Sequence, residues 1–252
     1  MQDTEFNQGL MDFIELSPTP FHAVEQIIGR LECMGYQCLF ESDSWQLEKG
    51  QGYYVTRNDS SIIAFKLGKD DVVTSGVRMV GAHTDSPCLK VKPQPEIVKK
   101  GYFQLGVEVY GGALLNPWFD RDLSIAGRVN FLNSRNELCS SLLDFKAPVA
   151  FIPSLAIHLD REVNQKRSIN QQTDLPPLLM QTNDKTTDFR SLLRKRLLQE
   201  DAALDVVKVL DYEVSLYDCN PHSPVGLEQE FVASACMDNL LELGRAAWRG
   251  GG

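Results

Sequence analysis

This sequence lacks the features that mark several other classes of protein. It has no run of about 18 apolar residues that could span a membrane. Its first residues, MQDTEFN, carry neither the basic nor the apolar stretch of a secretory signal. The six cysteines are scattered with no C-x-x-C pair, which favours reduced cytosolic thiols over a disulfide framework. Basic residues are too few to balance the acidic ones, and a net charge of −9 disfavours nucleic-acid or anionic-membrane binding. We therefore expect a cytoplasmic protein that binds neither nucleic acid nor membrane.

The pattern of apolar residues changes along the chain. At the N-terminus, two helices precede a hairpin and a strand that runs into His83. From about residue 89 to 217, short alternating segments with turn residues between them favour a sandwich or barrel. A short apolar strand and a helix start then follow from Phe231. The sequence thus predicts an α/β framework, residues 1–88 and 231–252, into which a β-rich domain, residues 89–230, is inserted.

Local signals give the elements of the framework. The second helix has Thr19 as N-cap, Pro20 at its first position and Gly35 just past its end. His22 lies off the apolar stripe of that helix, so we interpret it as a local capping or packing residue rather than a ligand. Segments 53–56 and 62–67 flank Asn58-Asp59-Ser60 as a hairpin would.

The inserted region is predicted to hold strands near 89–92, 103–110, 125–131, 142–145, 149–152 and 206–217. Residues 164–185 are polar and are predicted to form a long loop. Residues 188–198 have helical spacing, and their basic side chains are expected to form a solvated helix face.

The segment Met79–Pro87 contains a His-x-Asp pair at the end of the apolar stretch. Residues two apart on a strand share a face, so His83 and Asp85 can leave the strand end on the same side. A histidine that binds a metal commonly has its other ring nitrogen held by a carboxylate. The pair is therefore a candidate metal ligand with an orienting partner. The alternative is a buried histidine bonded to a local aspartate at a turn.

Asp238 has an equivalent position at the end of the segment that begins at Phe231. The carboxyl ends of neighbouring strands in an open α/β sheet lie close together, so His83 and Asp238 could meet there. A carboxylate can also bridge two metal ions with its two oxygens, which a histidine cannot do. The alternative is that Asp238 is simply the N-cap of the following helix.

Several blocks together resemble the aspartyl aminopeptidase family of zinc metallo-aminopeptidases. They occur in the family's order and span nearly all of residues 5–241. The blocks are Ser17–Val24, Gly81–Pro93, Asn116–Val129, Ala156–Arg161 and Phe231–Leu240.

The resemblance implies roles for individual residues. His83 would bind one zinc ion, and Asp85, a carboxylate of the catalytic site, would orient the His83 ring. Asp238 would bridge the two zinc ions of each site. His158, on the insert, would contact substrate or metal in the active site of a neighbouring subunit, the alternative being a structural histidine at a strand end. The insert would be the dimerisation domain of a family that builds dodecamers. Within the Asn116–Val129 block, which carries no ligand in the family, Asp120, Arg121 and Asp122 would be structural.

The sequence departs from the family pattern in two places. Cys236-Met237 stand where the family usually has an arginine and an apolar residue, and we interpret Cys236 as a small packing residue rather than a thiolate ligand. In the family, a Glu-Glu pair, a further acidic ligand and a late histidine follow the bridging aspartate. Here Glu242 is the only carboxylate after Asp238, and we expect it on a solvated helix face. The tail of Gly, Arg, Ala and Trp resembles translation out of frame or a premature end.

These observations predict a truncated zinc-aminopeptidase α/β framework with a barrel-like dimerisation domain. The activity that the family resemblance implies is zinc-dependent release of N-terminal, acidic residues from peptides. It also implies assembly as a homo-oligomer through residues 89–230. The chain alone is expected to be inactive because the general base is missing. The alternatives are a non-catalytic interaction or oligomerisation module and a non-functional fragment.

Overall fold

The computed structural model describes residues 2–249, which divide into two compact units. Unit 1 comprises the residues up to Ser86 together with those from Pro221 onward, and unit 2 comprises Pro87–Asn220. None of the described helices is long and apolar enough to cross a membrane.

The elements are numbered in chain order. The helices are α1 (Gln2–Glu15), α2 (Pro20–Cys33), α3 (Val72–Ser75), α4 (Val163–Lys166), α5 (Phe189–Glu200) and α6 (Met237–Arg249), and a 3-10 turn lies at Asn116–Trp118. The strands are β1 (Gln37–Cys38), β2 (Gly52–Arg57), β3 (Ser61–Lys66), β4 (Cys88–Lys99), β5 (Tyr102–Tyr110), β6 (Leu123–Leu132), β7 (Leu138–Asp144), β8 (Leu178–Gln181), β9 (Lys208–Asp218), β10 (Ser223–Val225) and β11 (Phe231–Ala233). The predicted mixed α/β fold is confirmed.

The core of unit 1 joins its first two helices to its last one. Phe13 of α1, Ile27 of α2 and Leu240 of α6 are buried in one cluster. The predicted ends of α2 are confirmed, with Thr19 as N-cap, Pro20 in the first turn and Gly35 in the left-handed region at φ 81°. Strands β1, β2 and β3 form a small sheet, and β10 pairs with β11 in a separate antiparallel hairpin. The predicted hairpin at 53–67 is therefore correct.

The strand predicted to lead into His83 is absent from the structure. Residues 77–83 are assigned neither to a strand nor to a helix. Val77, Met79 and Val80 are 67%, 87% and 81% exposed. A strand needs a ladder partner, and no strand among residues 2–249 pairs with this segment. The prediction was wrong because an apolar pattern in the sequence does not ensure that a neighbouring strand is present to pair with the segment.

Unit 2 is built on a six-stranded sheet in the order β7-β6-β9-β4-β5-β8. Its pairs are all antiparallel. Isolated bridges join Leu123 to Ala150 and Phe151 to Leu178, so the segment at 150–151 links β6 to the edge strand β8. The described strands do not close into a barrel, because only isolated bridges, and no continuous ladder, connect β6 to β8 through residues 150–151.

Helix α5 covers the core of unit 2. Phe189, Leu193 and Leu197, spaced four apart, are fully or almost fully buried in the same cluster as the sheet residues. The basic face of this helix was predicted to be solvated, which is wrong in part. Arg194 Nε donates to the Val206 carbonyl at 2.7 Å, and Arg196 Nη2 donates to the Asp144 carbonyl at 2.9 Å.

The polar segment 164–185 is also not a continuous loop. It contains the end of α4 and the whole of β8, which pairs with β5 through Met180 and Phe103. Two prolines precede β8, and this edge strand is only four residues long, so its short apolar segment does not stand out from the polar residues around it.

Candidate functional site

Each ring nitrogen of His83 lies close to an aspartate of unit 1. Nδ1 lies 2.8 Å from the Asp85 backbone carbonyl oxygen and 3.3 Å from Asp85 Oδ1. Nε2 lies 3.2 Å from Asp238 Oδ1. The side chain is 50% exposed, so the alternative of a buried histidine does not apply.

The backbone on either side of this pair is held by hydroxyl groups. Ser86 Oγ donates to the Asp238 carbonyl oxygen at 2.9 Å, and Thr84 Oγ1 donates to the Ser60 carbonyl at 2.7 Å. We did not predict these two contacts, although alternation along the segment places Thr84 and Ser86 opposite His83 and Asp85. The hydroxyls attach the segment to the turn between β2 and β3 and to α6, which brings His83 and Asp238 together across 155 residues of sequence.

Asp238 lies within the first residues of α6, where the backbone is not helical: φ is −93° and ψ is 108°. The side chain is 93% exposed and faces His83. Strand β11 ends at Ala233, so Asp238 follows the strand by a short connection rather than directly. Cys236 in that connection packs against the unit 1 core, as expected for a small packing residue.

The surroundings favour the protonated form of His83 when no cation is bound. The hydrogen bond to the Asp85 carbonyl is the main cause that raises the pKa of His83, and the charges of Asp85 and Asp238 act in the same direction. Two carboxylates beside an imidazole make this a place that attracts positive charge.

The same geometry fits a zinc ion. Zinc binds nitrogen and oxygen at about 2.0–2.2 Å in a tetrahedral arrangement, which sets two ligand atoms on one ion about 3.3–3.6 Å apart. The separation of His83 Nε2 from Asp238 Oδ1 is 3.2 Å. Because Nδ1 faces Asp85, its proton can be donated there, and Nε2 then keeps its lone pair for a metal. No cluster of three or more His, Cys, Asp or Glu side chains able to hold a metal was found in the described part of the chain. Among the described residues, His83 and Asp238 are thus two candidate ligands, whereas zinc requires about four.

The remaining candidate residues lie elsewhere. His158 is exposed and lies in the middle of a turn of unit 2 formed by residues 157–159. Glu242 is exposed on α6, as predicted for a solvated face. His22 is buried, and its Nδ1 lies 2.7 Å from Thr19 Oγ1, which agrees with a local packing role.

Comparisons with known proteins agree with one another. The protein-family model described as "Aminopeptidase I zinc metalloprotease (M18)" matches residues 13–243. The chain is 59% identical over 239 residues to a "Probable M18 family aminopeptidase 2" of Ectopseudomonas mendocina, and 56% identical over 238 residues to one of Pseudomonas fluorescens. Each alignment covers 94% of this chain but 55% of the relative. The chain thus spans about half the length of the curated relatives it matches.

Solved structures give the same result. The structure titled "Cryo-EM structure of the Ape4 and Nbr1 complex" superposes with a TM-score of 0.92 at 35% identity, covering 97% of this chain and 50% of that one. The mApe1 dodecamer of S. cerevisiae superposes with a TM-score of 0.72 at 28% identity, covering 89% of this chain and 50% of that one. The family match over residues 13–243 and the shared fold lead to one conclusion: this chain belongs to the M18 family of aminopeptidases.

Proposed function

We propose that this chain carries part of the active site of a zinc-dependent aminopeptidase that releases N-terminal acidic residues from peptides. The single observation that supports the proposal most strongly is the 3.2 Å approach of His83 Nε2 to Asp238 Oδ1, with Nδ1 turned to Asp85. Membership of the M18 family makes zinc the metal to test first.

Each residue then has a distinct task. His83 and Asp238 would hold the metal, and the exposed Asp238 carboxylate would be the residue shared between two zinc ions, as the family resemblance implies. Asp85 accepts the Nδ1 proton of His83 and so positions the ring, which a second carboxylate-bearing neighbour commonly does for a zinc-bound histidine. When bound, zinc supplies a Lewis acid that polarises the scissile carbonyl. The resemblance implies that the glutamate that accepts the proton lies beyond Asp238.

Unit 2 has a proposed role in assembly. The S. cerevisiae relative is a dodecamer by its title, and we propose that this chain forms homo-oligomers through the region predicted as 89–230. The exposed turn that bears His158 would then reach the active site of a neighbouring subunit and contact substrate or metal there.

A second candidate function is an interaction or oligomerisation module without catalysis. It is favoured by the small ligand set of the described residues and by the exposure of Glu242, which leaves that carboxylate on the helix surface. General-base assistance is worth about 10²–10⁴-fold in rate, so we expect a chain without it to lose peptidase activity by at least this factor.

Zinc titration of the 252-residue chain tests the proposed site. We expect weak zinc binding that is lost in His83→Ala and in Asp238→Ala. In Asp85→Ala it should fall only about tenfold, because the backbone carbonyl at position 85 still accepts from Nδ1. Asp70→Ala is the matched control, since Asp70 is an exposed aspartate of the same unit. Binding that is unchanged by His83→Ala would contradict the proposed ligands.

A chimera separates the two candidate functions. When the C-terminal segment of a relative is grafted after Leu240, we expect zinc binding and acidic aminopeptidase activity to appear together and to be lost again in His83→Ala. A chimera that binds zinc and folds but cleaves nothing would favour the interaction module. Zinc-dependent release of N-terminal residues by the 252-residue chain itself, with host peptidases excluded, would refute its inactivity.

A further inference from the structure

A loop in unit 2, residues 155–166, carries His158 near its tip. Leu155 and Leu159 on this loop are 64% and 75% exposed, so the loop does not derive its position from burial of its own side chains. Inside it, the Leu159 amide donates to the Ala156 carbonyl at 2.8 Å and the Lys166 amide donates to the Glu162 carbonyl at 2.9 Å. These turns fix short stretches but do not attach the loop to the sheet.

The two ends of the loop are joined by a cluster of polar contacts. The Ser154 amide, just before the loop, donates to Asp120 Oδ1 at 2.8 Å. Arg167, just after it, donates from Nη2 to Ser154 Oγ at 3.3 Å and from Nη1 to Asn116 Oδ1 at 2.8 Å. The Arg167 guanidinium also lies 3.7 Å from the centre of the Phe119 ring. The loop therefore has the closed ends of a compact Ω-loop.

This cluster is in turn attached to the core of unit 2. The Asp120 amide donates to the Ile152 carbonyl at 2.9 Å, and Phe119 forms a parallel bridge with Ile152, which is 1% exposed. Asp120 has φ 58°, a left-handed conformation that aspartate and asparagine tolerate better than most residues. The hydrogen bonds from Ser154 are the main cause that lowers the pKa of Asp120, and the charge of Arg167 adds to them. The carboxylate therefore stays ionised beside the arginine.

We propose that Asp120 and Arg167 are positioning residues that hold the base of the 155–166 loop and so fix the place of His158. Neither side chain needs to touch substrate or metal. The proposal gives a task to the Asn116–Val129 block, whose residues lie outside the metal site. Its consequence for catalysis rests on the proposed function, because only there does the place of His158 matter.

Histidine NMR tests the proposal in the 252-residue chain. The sequence has four histidines, so a ¹H–¹³C spectrum of the ring protons holds few signals, and His158→Ala identifies the one from His158. We expect Arg167→Ala to shift and sharpen the His158 signals while those of His22, His83 and His222 stay unchanged. Hydrogen exchange of the Leu159 and Lys166 amides should become at least about ten times faster in the same variant.

Matched variants distinguish positioning from a general loss of stability. Arg161→Ala removes the same charge from an exposed position on the same loop and should leave the His158 signals as they are. Asp120→Asn keeps an acceptor oxygen and the tolerance for a positive φ, so it should retain most of the protection that Asp120→Ala loses. Lysine at position 167 keeps the charge but not the planar fork, so Arg167→Lys should give an intermediate result.

The proposal is overturned if folded Arg167→Ala and Asp120→Ala chains show wild-type His158 signals and wild-type exchange. It is equally overturned if Arg161→Ala has the same effect as Arg167→Ala. Should the alanine variants fail to fold, the asparagine and lysine variants carry the test alone. In the grafted chimera, Arg167→Ala should impair turnover of peptide substrate as His158→Ala does. If the loop loosens while turnover is unaffected, the proposed role of His158 fails but the positioning role stands.

Discussion

Gly127, in the middle of β6, should tolerate no side chain. Its φ is +156°, and a Cβ atom built there would lie 2.1 Å from the Glu213 carbonyl oxygen and 2.6 Å from Val214 Cα. Both atoms belong to the backbone of β9, which pairs with β6 over ten residue pairs and lies beside β4 on its other edge. The clash can therefore be relieved only by moving the strand at the centre of the sheet.

The expected cost of Gly127→Ala is large. Overpacking costs about 1–3 kcal/mol where a core can adjust, and a contact with fixed backbone falls at the upper end of that range. The unusual φ adds about 1 kcal/mol for an L-residue. We expect a loss of about 4 kcal/mol in the free energy of unfolding of unit 2, a large fraction of the roughly 5–15 kcal/mol that stabilises a typical domain.

The matched control is Gly106→Ala on β5, where a Cβ atom would meet Lys92 Cδ at 3.3 Å. That atom lies in a flexible side chain, so the free energy of unfolding should change by about 1 kcal/mol or less. Urea denaturation should be followed by Trp118 fluorescence in a chain whose other two tryptophans, Trp45 and Trp248, are replaced by phenylalanine, because the two units need not unfold together. A Gly127→Ala chain that unfolds at the wild-type urea concentration, or a Gly106→Ala chain that loses as much, would refute the reasoning.

Three further outcomes are expected. Leu193→Ala should cost unit 2 about 2–5 kcal/mol by urea denaturation, because the Leu193 side chain of α5 is fully buried in the unit 2 core, whereas Lys195→Ala at an exposed position of the same helix should cost little. Asp188→Ala should cost about 1 kcal/mol in the same measurement, since the Asp188 side chain accepts from the Ser191 amide at 2.9 Å as N-cap of α5. Burial lowers the pKa of His222 although the charge of Glu15 opposes this, so the unfolded chain takes up the proton more readily and unit 1 loses stability as the pH falls through about 6.5. His222→Gln should remove that part of the decline in Tm, and an unchanged pH profile would contradict the role of His222.

Local signals in the sequence predicted the elements whose partners are near in the chain. The capping and proline pattern at Thr19 and Pro20 predicted the start of α2, and the turn residues at Asn58–Ser60 predicted the β2–β3 hairpin. Alternation within each segment also predicted β6 and β9, although these two strands pair with each other from distant parts of the sequence. Such elements depend mainly on period and turn chemistry, which the sequence states directly.

Features that depend on distant partners could not be predicted in this way. The arginines of α5 look like a solvated face by spacing alone, yet Arg194 and Arg196 satisfy carbonyl groups of residues 12 and 52 positions away. The need for glycine at position 127 is likewise invisible in the sequence, because the atoms that exclude a side chain belong to Glu213 and Val214. In both cases the determining group lies on another element, and local pattern carries no information about it.

In the segment before His83, the local sequence pattern and the contacts with distant residues lead to different structures. Its Val77, Met79 and Val80 have the composition of a buried strand, but they are exposed because no described strand pairs with them. His83 and Asp238 nevertheless lie close together, since the Ser86 hydroxyl donates to the Asp238 carbonyl and α6 packs against α1 and α2. The approach of these two side chains therefore depends on helix packing within unit 1 and not on a completed sheet. By this reasoning His83 and Asp238 can be in place while the neighbouring segment still exposes apolar side chains, and an exposed apolar surface favours contact with further protein.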